Sequence, residues 1–303
     1  MAVLARWNPI THDFGLIQAP LEHVLDSFLS WHASIGINYQ RTYIATSLAV
    51  AFESLLPLAN SKMRRLFVAT RSTWVACFQN GIAGSDPFPA MSFLAGRMGV
   101  LAMRVCSTPE RAMYPATVWE VYAPQSLGGG PLNYRRSIAA LDDGGHWVFE
   151  ESGERYTFER VERYAARRKR DRFTKNVLCE YLRHFGVELF ADDFLRVDEA
   201  TPAVRLQQLT KVWHSPEFTL EQVIAVFRGR ESCEISGLPP LEAIYLSIKI
   251  QQPVRCCTSR ARRDAPLHSL RFPGMQTLHV ASCPRRAYHQ ERRRHKILIA
   301  PAG

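Results

Sequence analysis

The chain has 303 residues, of which 47% are hydrophobic, 11% aromatic and 22% charged, with 38 Lys and Arg against 28 Asp and Glu for a formal charge of +10. That composition excludes collagen-like, wholly disordered and disulfide-knot proteins, and the length accommodates one large domain or two smaller ones with a sizeable core. The charge would point to an anionic partner if it were spread over the folded body, but the residues before Pro253 carry 27 basic and 26 acidic side chains, whereas the last 51 carry 11 and two.

Residues 1–8 hold one Arg and too few apolar residues before Pro9 for a secretory signal. Residues 13–18 read as a strand, and Pro20 opens a helix in which Leu21, Val24, Leu25, Phe28 and Leu29 recur at helical spacing up to Gly36. The most apolar stretch, 43–59, is broken by Glu53 and Pro57 before it reaches the roughly 18 apolar residues of a spanning helix. It reads as a core helix centred on 47–56, and no membrane contact is expected. Residues 65–69 and 73–78 predict a hairpin around Thr70, Arg71 and Ser72. A glycine-containing loop over 80–87 then leads, through Asp86 and Pro87, into a helix ending at Gly99.

Strands follow at 100–106, 117–122, 135–141 and 146–151, the last two joined by Asp142, Asp143, Gly144 and Gly145, a sequence suited to a tight turn. Strands in succession without long helical crossovers pair antiparallel. The expected class is therefore α+β: an antiparallel sheet with a late meander and hairpin, packed against several helices. Beyond Thr157 the pattern predicts a helix with Phe158, Val161, Tyr164 and Ala165 on one face, and a second over 174–186 with Val177, Leu178, Tyr181, Leu182 and Phe185 in one stripe. Helices over 204–213 and 220–227 complete the expected elements, the latter capped by Thr219 and Gln222. The expected organisation is a core domain over 1–195, a helical extension over 196–252, and a basic, Arg/Cys/His-rich tail over 253–303 that reads as disordered or as non-native sequence from a shifted frame.

Two segments are candidate sites. In the 80–87 loop, Gly81 and Gly84 would let a ligand approach backbone N–H groups at a helix start, with Asn80, Ser85 and Asp86 as polar partners. The loop lacks the Lys-Ser/Thr ending of a phosphate loop, and a plain turn with a helix cap competes with the ligand reading. The second is the basic run Arg155, Arg160, Arg163, Arg167, Arg168, Lys169, Arg170 and Arg172, interleaved with Tyr156 and Tyr164 as in some nucleic-acid readers. Glu154, Glu159, Glu162 and Asp171 lie at helical pairing distances from it, so a solvated or partner-facing surface competes with phosphate binding.

No catalytic constellation, cofactor motif or metal site emerges. His146 and Glu150 share a strand face but are spaced too widely for a His–carboxylate pair. Cys77, Cys106 and Cys179 read as core thiols. The seven Cys include no C-x-x-C pair, and in the tail Cys256 and Cys257 are adjacent, where chelating pairs are usually spaced by two to four residues. Reduced thiols suit a cytoplasmic protein.

The stretches Leu132-Asn133-Tyr134-Arg135-Arg136-Ser137-Ile138, Asp143-Gly144-Gly145-His146-Trp147-Val148-Phe149-Glu150 and Arg167-Arg168-Lys169-Arg170-Asp171-Arg172-Phe173-Thr174, with Thr70-Arg71-Ser72-Thr73-Trp74 and Asn80-Gly81, resemble bacterial α+β proteins of uncharacterised function, among them proteins of the immunity sort. The resemblance covers residues 12–195. It implies a cytoplasmic bacterial protein that binds and neutralises a toxin by protein–protein contact. An enzyme using the 80–87 loop and a nucleic-acid binder using 167–172 with the tail are the alternatives.

Overall fold

The computed structural model describes residues 4–227, except 5, 60, 62, 83, 86, 111, 113, 114, 190, 192 and 210–215, together with 267–270 and 278–281. The chain divides into two compact units, Met1–Gln252 and Pro253–Gly303.

Among the described residues the first unit is built on nine strands: β1 (Asp13–Ile17), β2 (Tyr39–Ile44), β4 (Arg64–Ala69), β5 (Val75–Gln79), β6 (Ala102–Ser107), β7 (Ala116–Tyr122), β8 (Tyr134–Asp142), β9 (Trp147–Gly153) and β10 (Ala203–Gln208), with the short β3 (Leu58–Ala59) and β11 (Glu217–Phe218) paired outside them. They lie in the order β2-β10-β4-β5-β1-β6-β7-β8-β9, every pairing antiparallel. This is the α+β architecture expected, with β6 to β9 as the late meander. Gly144 and Gly145, at φ +66° and +90°, make the β8–β9 turn, a backbone region in which most residues would be strained.

Helices cover both faces of the sheet, which is why β1 and β5 are buried along their whole length. On one face lie α1 (Leu21–Ser34) and α3 (Phe88–Met98). Val24, Leu25 and Phe28 of α1 and Met91, Leu94 and Ala95 of α3 pack on Ile17, Phe67, Val75, Cys77, Ala102, Val204 and Leu206. Met91 sits so close to Gly15 that a Cβ there would lie 2.5 Å from its Sδ. Gly99, at φ +71°, ends α3 as expected. On the opposite face, α2 (Leu48–Glu53), α4 (Lys175–Arg183) and α5 (Leu220–Phe227) join a larger core. Trp119 of β7 is its hub, in contact with Tyr156, Phe158, Tyr181 and Phe185. At the start of α5 the capping box forms in both directions: Gln222 N–H donates to Thr219 Oγ1 at 3.2 Å and Thr219 N–H to Gln222 Oε1 at 2.8 Å.

Three local expectations are corrected. The core helix expected across 43–59 is confined to α2: residues 43 and 44 belong to β2, and 58 and 59 to β3. Where a helix was expected over 204–213, residues 203–208 form β10; Val204 and Leu206 alternate onto the α1 face, and the two neighbours β2 and β4 satisfy the strand's backbone on both sides. The sheet therefore runs past residue 195, and the stretch expected as a helical extension contains a sheet strand as well as α5. Over 157–172, where a helix was expected, there are instead two short 3-10 turns, Val161–Ala165 and Lys169–Asp171. The stretch leading into the first turn is held by side chains: Tyr156 N–H donates to Glu159 at 2.9 Å and Arg160 N–H to the Tyr181 hydroxyl at 2.7 Å.

The second unit contains an antiparallel hairpin of β12 (Leu267–Leu270) and β13 (Leu278–Ala281), in a stretch where no strand period was read. The remainder of the tail, with Cys256, Cys257, Cys283, His289 and His295, lies outside the described residues.

Candidate functional site

Beneath α3, three charged side chains meet in the middle of the sheet. Asp13 of β1, Arg104 of β6 and Glu120 of β7 occupy one face of adjacent strands and are 3%, 2% and 1% exposed. The Arg104 guanidinium donates from Nε to Asp13 Oδ1 at 3.0 Å and from Nη2 to Oδ2 at 2.6 Å, while Nη1 lies 3.5 Å from Glu120 Oε2. Burial works against the Arg104 charge, but the two carboxylates outweigh it and hold its pKa well above the ordinary value. The Tyr122 hydroxyl donates to Glu120; burial and then this carboxylate raise its pKa. Phe88 of α3 closes the cluster by stacking on Tyr134 at 5.6 Å.

In the 80–87 loop Ser85 lies against Asp13, and the polar groups of Asn80 and Ser85 are occupied. Ser85 N–H donates to the Asp13 carbonyl at 3.1 Å, and Ser85 Oγ accepts from Gln79 N–H at 2.6 Å. Asn80 Oδ1 accepts from Arg64 N–H at 2.9 Å and its Nδ2 donates to the Pro57 carbonyl at 3.1 Å. Asn80 and Ser85 are 1% and 3% exposed. Gly81 bridges to Ala59. Gly84 adopts φ +92° with room for no side chain, since a Cβ would lie 2.9 Å from the Pro9 carbonyl. Asp86, the acid expected in this loop, lies outside the described residues. The arrangement fastens the β5–α3 connection to β1 and β4.

A second buried cation anchors the other end of the sheet. Arg136 of β8, on the α4 face, donates from Nε to Glu159 Oε1 at 2.8 Å and from Nη2 to Glu159 Oε2 at 2.6 Å, and also meets Glu151. Burial opposes its charge, and the hydrogen bonds to Glu159 and Glu151 override that and raise its pKa. Glu159 accepts from the Tyr164 hydroxyl at 2.8 Å as well. Sequence spacing assigns Glu159 to the exposed basic run; instead its side chain is fully buried and serves Arg136.

This pinning displays the basic run. Arg167, Arg168, Lys169 and Arg170 are exposed on the loop that crosses β8 and β9. Arg170 has Asp171 at 3.7 Å, whereas Arg167, Arg168 and Lys169 form no ion pair among the described residues. Arg172 is held back: its Nε donates to the Ala166 carbonyl at 2.8 Å and its guanidinium lies 5.5 Å from the Phe149 ring centre. The interleaved aromatics turn inward: Tyr164 is 7% exposed, and Tyr156 is half-buried with its ring centre 5.8 Å from that of Trp119.

The thiols of Cys77 and Cys106 are buried and their pKa values raised by that burial, Cys77 to about 12. His146 lies just before β9 and Glu150 within it. Among the described residues no group of three or more His, Cys, Asp and Glu side chains could hold a metal ion, and no helix is long and apolar enough to cross a membrane. The chain matches no family model, no curated protein and no solved structure.

Proposed function

We propose that the chain is a binding protein acting by protein–protein contact, of the immunity sort that neutralises a toxin in the bacterial cytoplasm, and that Arg167, Arg168, Lys169 and Arg170 meet an acidic surface on the partner. The observation that carries this reading is the display of these exposed cations, three of them without an ion pair among the described residues, on turns bolted to β8 through Glu159 and Arg136. A preorganised charged surface costs little entropy to engage and gives specificity and fast association. The packing of Tyr164 and Tyr156 against the core takes away the stacking platform that single-stranded nucleic acid would use. Against the enzyme reading stands the engagement of Asn80 and Ser85 in backbone hydrogen bonds.

The test is affinity capture from the native host with the full chain and with its R167E/R168E/K169E/R170E variant. The reading expects a protein recovered by the wild type and lost by the variant, with association slowed by at least about tenfold at physiological salt and weakened further as salt rises. Equal recovery by both forms, or recovery of nucleic acid in place of protein, overturns it.

A further inference from the structure

We infer that the outer edge of β9 is a docking rail for an extended, acidic segment of the protein partner, which adds a strand to the sheet and lays its carboxylates beside the 167–170 cations; this rests on the reading of those cations proposed above. Among the described residues β9 is the last strand of the sheet and pairs with β8 alone. Bonded and non-bonded pairs alternate along an antiparallel ladder. Asp143 N–H donates to the His146 carbonyl at 2.8 Å, which makes that pair a bonded one. The register then directs the backbone groups of Val148, Glu150 and Ser152 toward β8 and those of Trp147, Phe149 and Glu151 outward. The outward N–H and C=O groups of these three residues have no hydrogen-bond partner among the described residues.

Sheet edges are commonly blunted by proline, an edge lysine, a bulge or a very short strand. β9 has none of these: it is seven residues long, contains no Pro or Lys, and pairs with β8 without a register shift. Its chemistry also favours an acidic occupant. The Glu151 carboxylate is neutralised by Arg136 and Arg155, and the turn Lys169–Asp171 packs against β8 and β9. In an added strand, alternate side chains share one face at a spacing of about 7 Å, so carboxylates at alternate positions would pass along Arg167, Arg168 and Lys169. The opposite edge of the sheet, β2, lacks this complement, because its single charged side chain, Arg41, is paired with Glu22. Backbone pairing supplies affinity in such strand addition, and the flanking charges choose the partner.

The experiment is amide hydrogen exchange by NMR on the full chain, with a peptide of alternating Val and Glu of about ten residues as the probe. Exchange at Trp147, Phe149 and Glu151 should slow by at least about tenfold on saturation, while Val148, Glu150 and Ser152, already bonded to β8, should change little. A Val/Lys peptide of equal length should give no protection, and R167E/R168E/K169E/R170E should abolish the effect of the Val/Glu peptide. No binding of the Val/Glu peptide, binding without protection of the three outward amides, equal protection by the Val/Lys peptide, or protection on β2 instead, overturns the inference. Binding that depends on the cations yet leaves the outward amides fast removes the rail alone and keeps the basic-turn reading. A variant that keeps the native partner while outward-amide protection persists removes the basic-turn reading.

Discussion

Replacing Arg104 by Met tests how the centre of the sheet is held. Met fills similar space but removes the one cation seated between Asp13 and Glu120, both almost wholly buried. Breaking a buried ion pair in this way costs about 3–5 kcal/mol, because carboxylates that cannot regain water lose their compensating charge. A cost of that size is a large share of the roughly 5–15 kcal/mol by which native proteins are stable. At about 2–4 °C per kcal/mol for a body of this size, the melting temperature should fall by about 6–20 °C. Equilibrium urea unfolding at pH 7, followed by circular dichroism, gives the free energy directly. The triple variant D13N/R104M/E120Q removes all three charges together and should recover at least about half of the loss, since neutral replacements of buried ion groups are often tolerated. A single variant within about 1 kcal/mol of wild type, or a triple variant no more stable than the single, would refute the view that this cluster is an interdependent electrostatic unit.

Three further outcomes are expected. Burial lowers the pKa of His12 from 6.5 to about 4, so its contribution to stability is fully present above pH 6.5 and is lost as the pH falls toward 4; at about 1.4 kcal/mol per pKa unit this amounts to about 3 kcal/mol. Urea titrations across that range should show the loss, and His12→Phe should flatten it; an unchanged slope in the variant would assign the pH dependence to other groups. Gly84→Ala should destabilise by about 1–3 kcal/mol, since a side chain at φ +92° is strained and collides with the Pro9 carbonyl, and Ser85→Ala by a similar about 1–3 kcal/mol through the orphaned Gln79 N–H; thermal melts of each against wild type measure both. R167E/R168E/K169E/R170E should leave the melting temperature within a few degrees of wild type, because exposed charges contribute little to folding, and a large drop would mean that these side chains serve the fold.

The sequence by itself determined those elements whose signals are local. The apolar period of α1 and α4, the Gly99 stop of α3, the Thr219–Gln222 box and the Asp-Asp-Gly-Gly turn each depend on residues within a few positions of one another, and each is present. From the succession of strands without crossovers came the antiparallel α+β class. What the sequence could not decide was partnership across distance. Residues 203–208 become a strand because β2 and β4, more than 130 residues earlier, leave a gap that only a strand can bond on both sides. Residues 157–172 fail to form a helix because Glu159 is drawn inward to Arg136, and the Tyr181 hydroxyl accepts a hydrogen bond from the Arg160 N–H. The same holds for function. The cations at 167–170 are visible in the sequence, but whether their acids neutralise them, whether their aromatics stack or bury, and which strand edge they flank are set by tertiary packing. Charge can be counted along a chain, whereas burial, the property that decides what a charge can do, depends on every element packed around it.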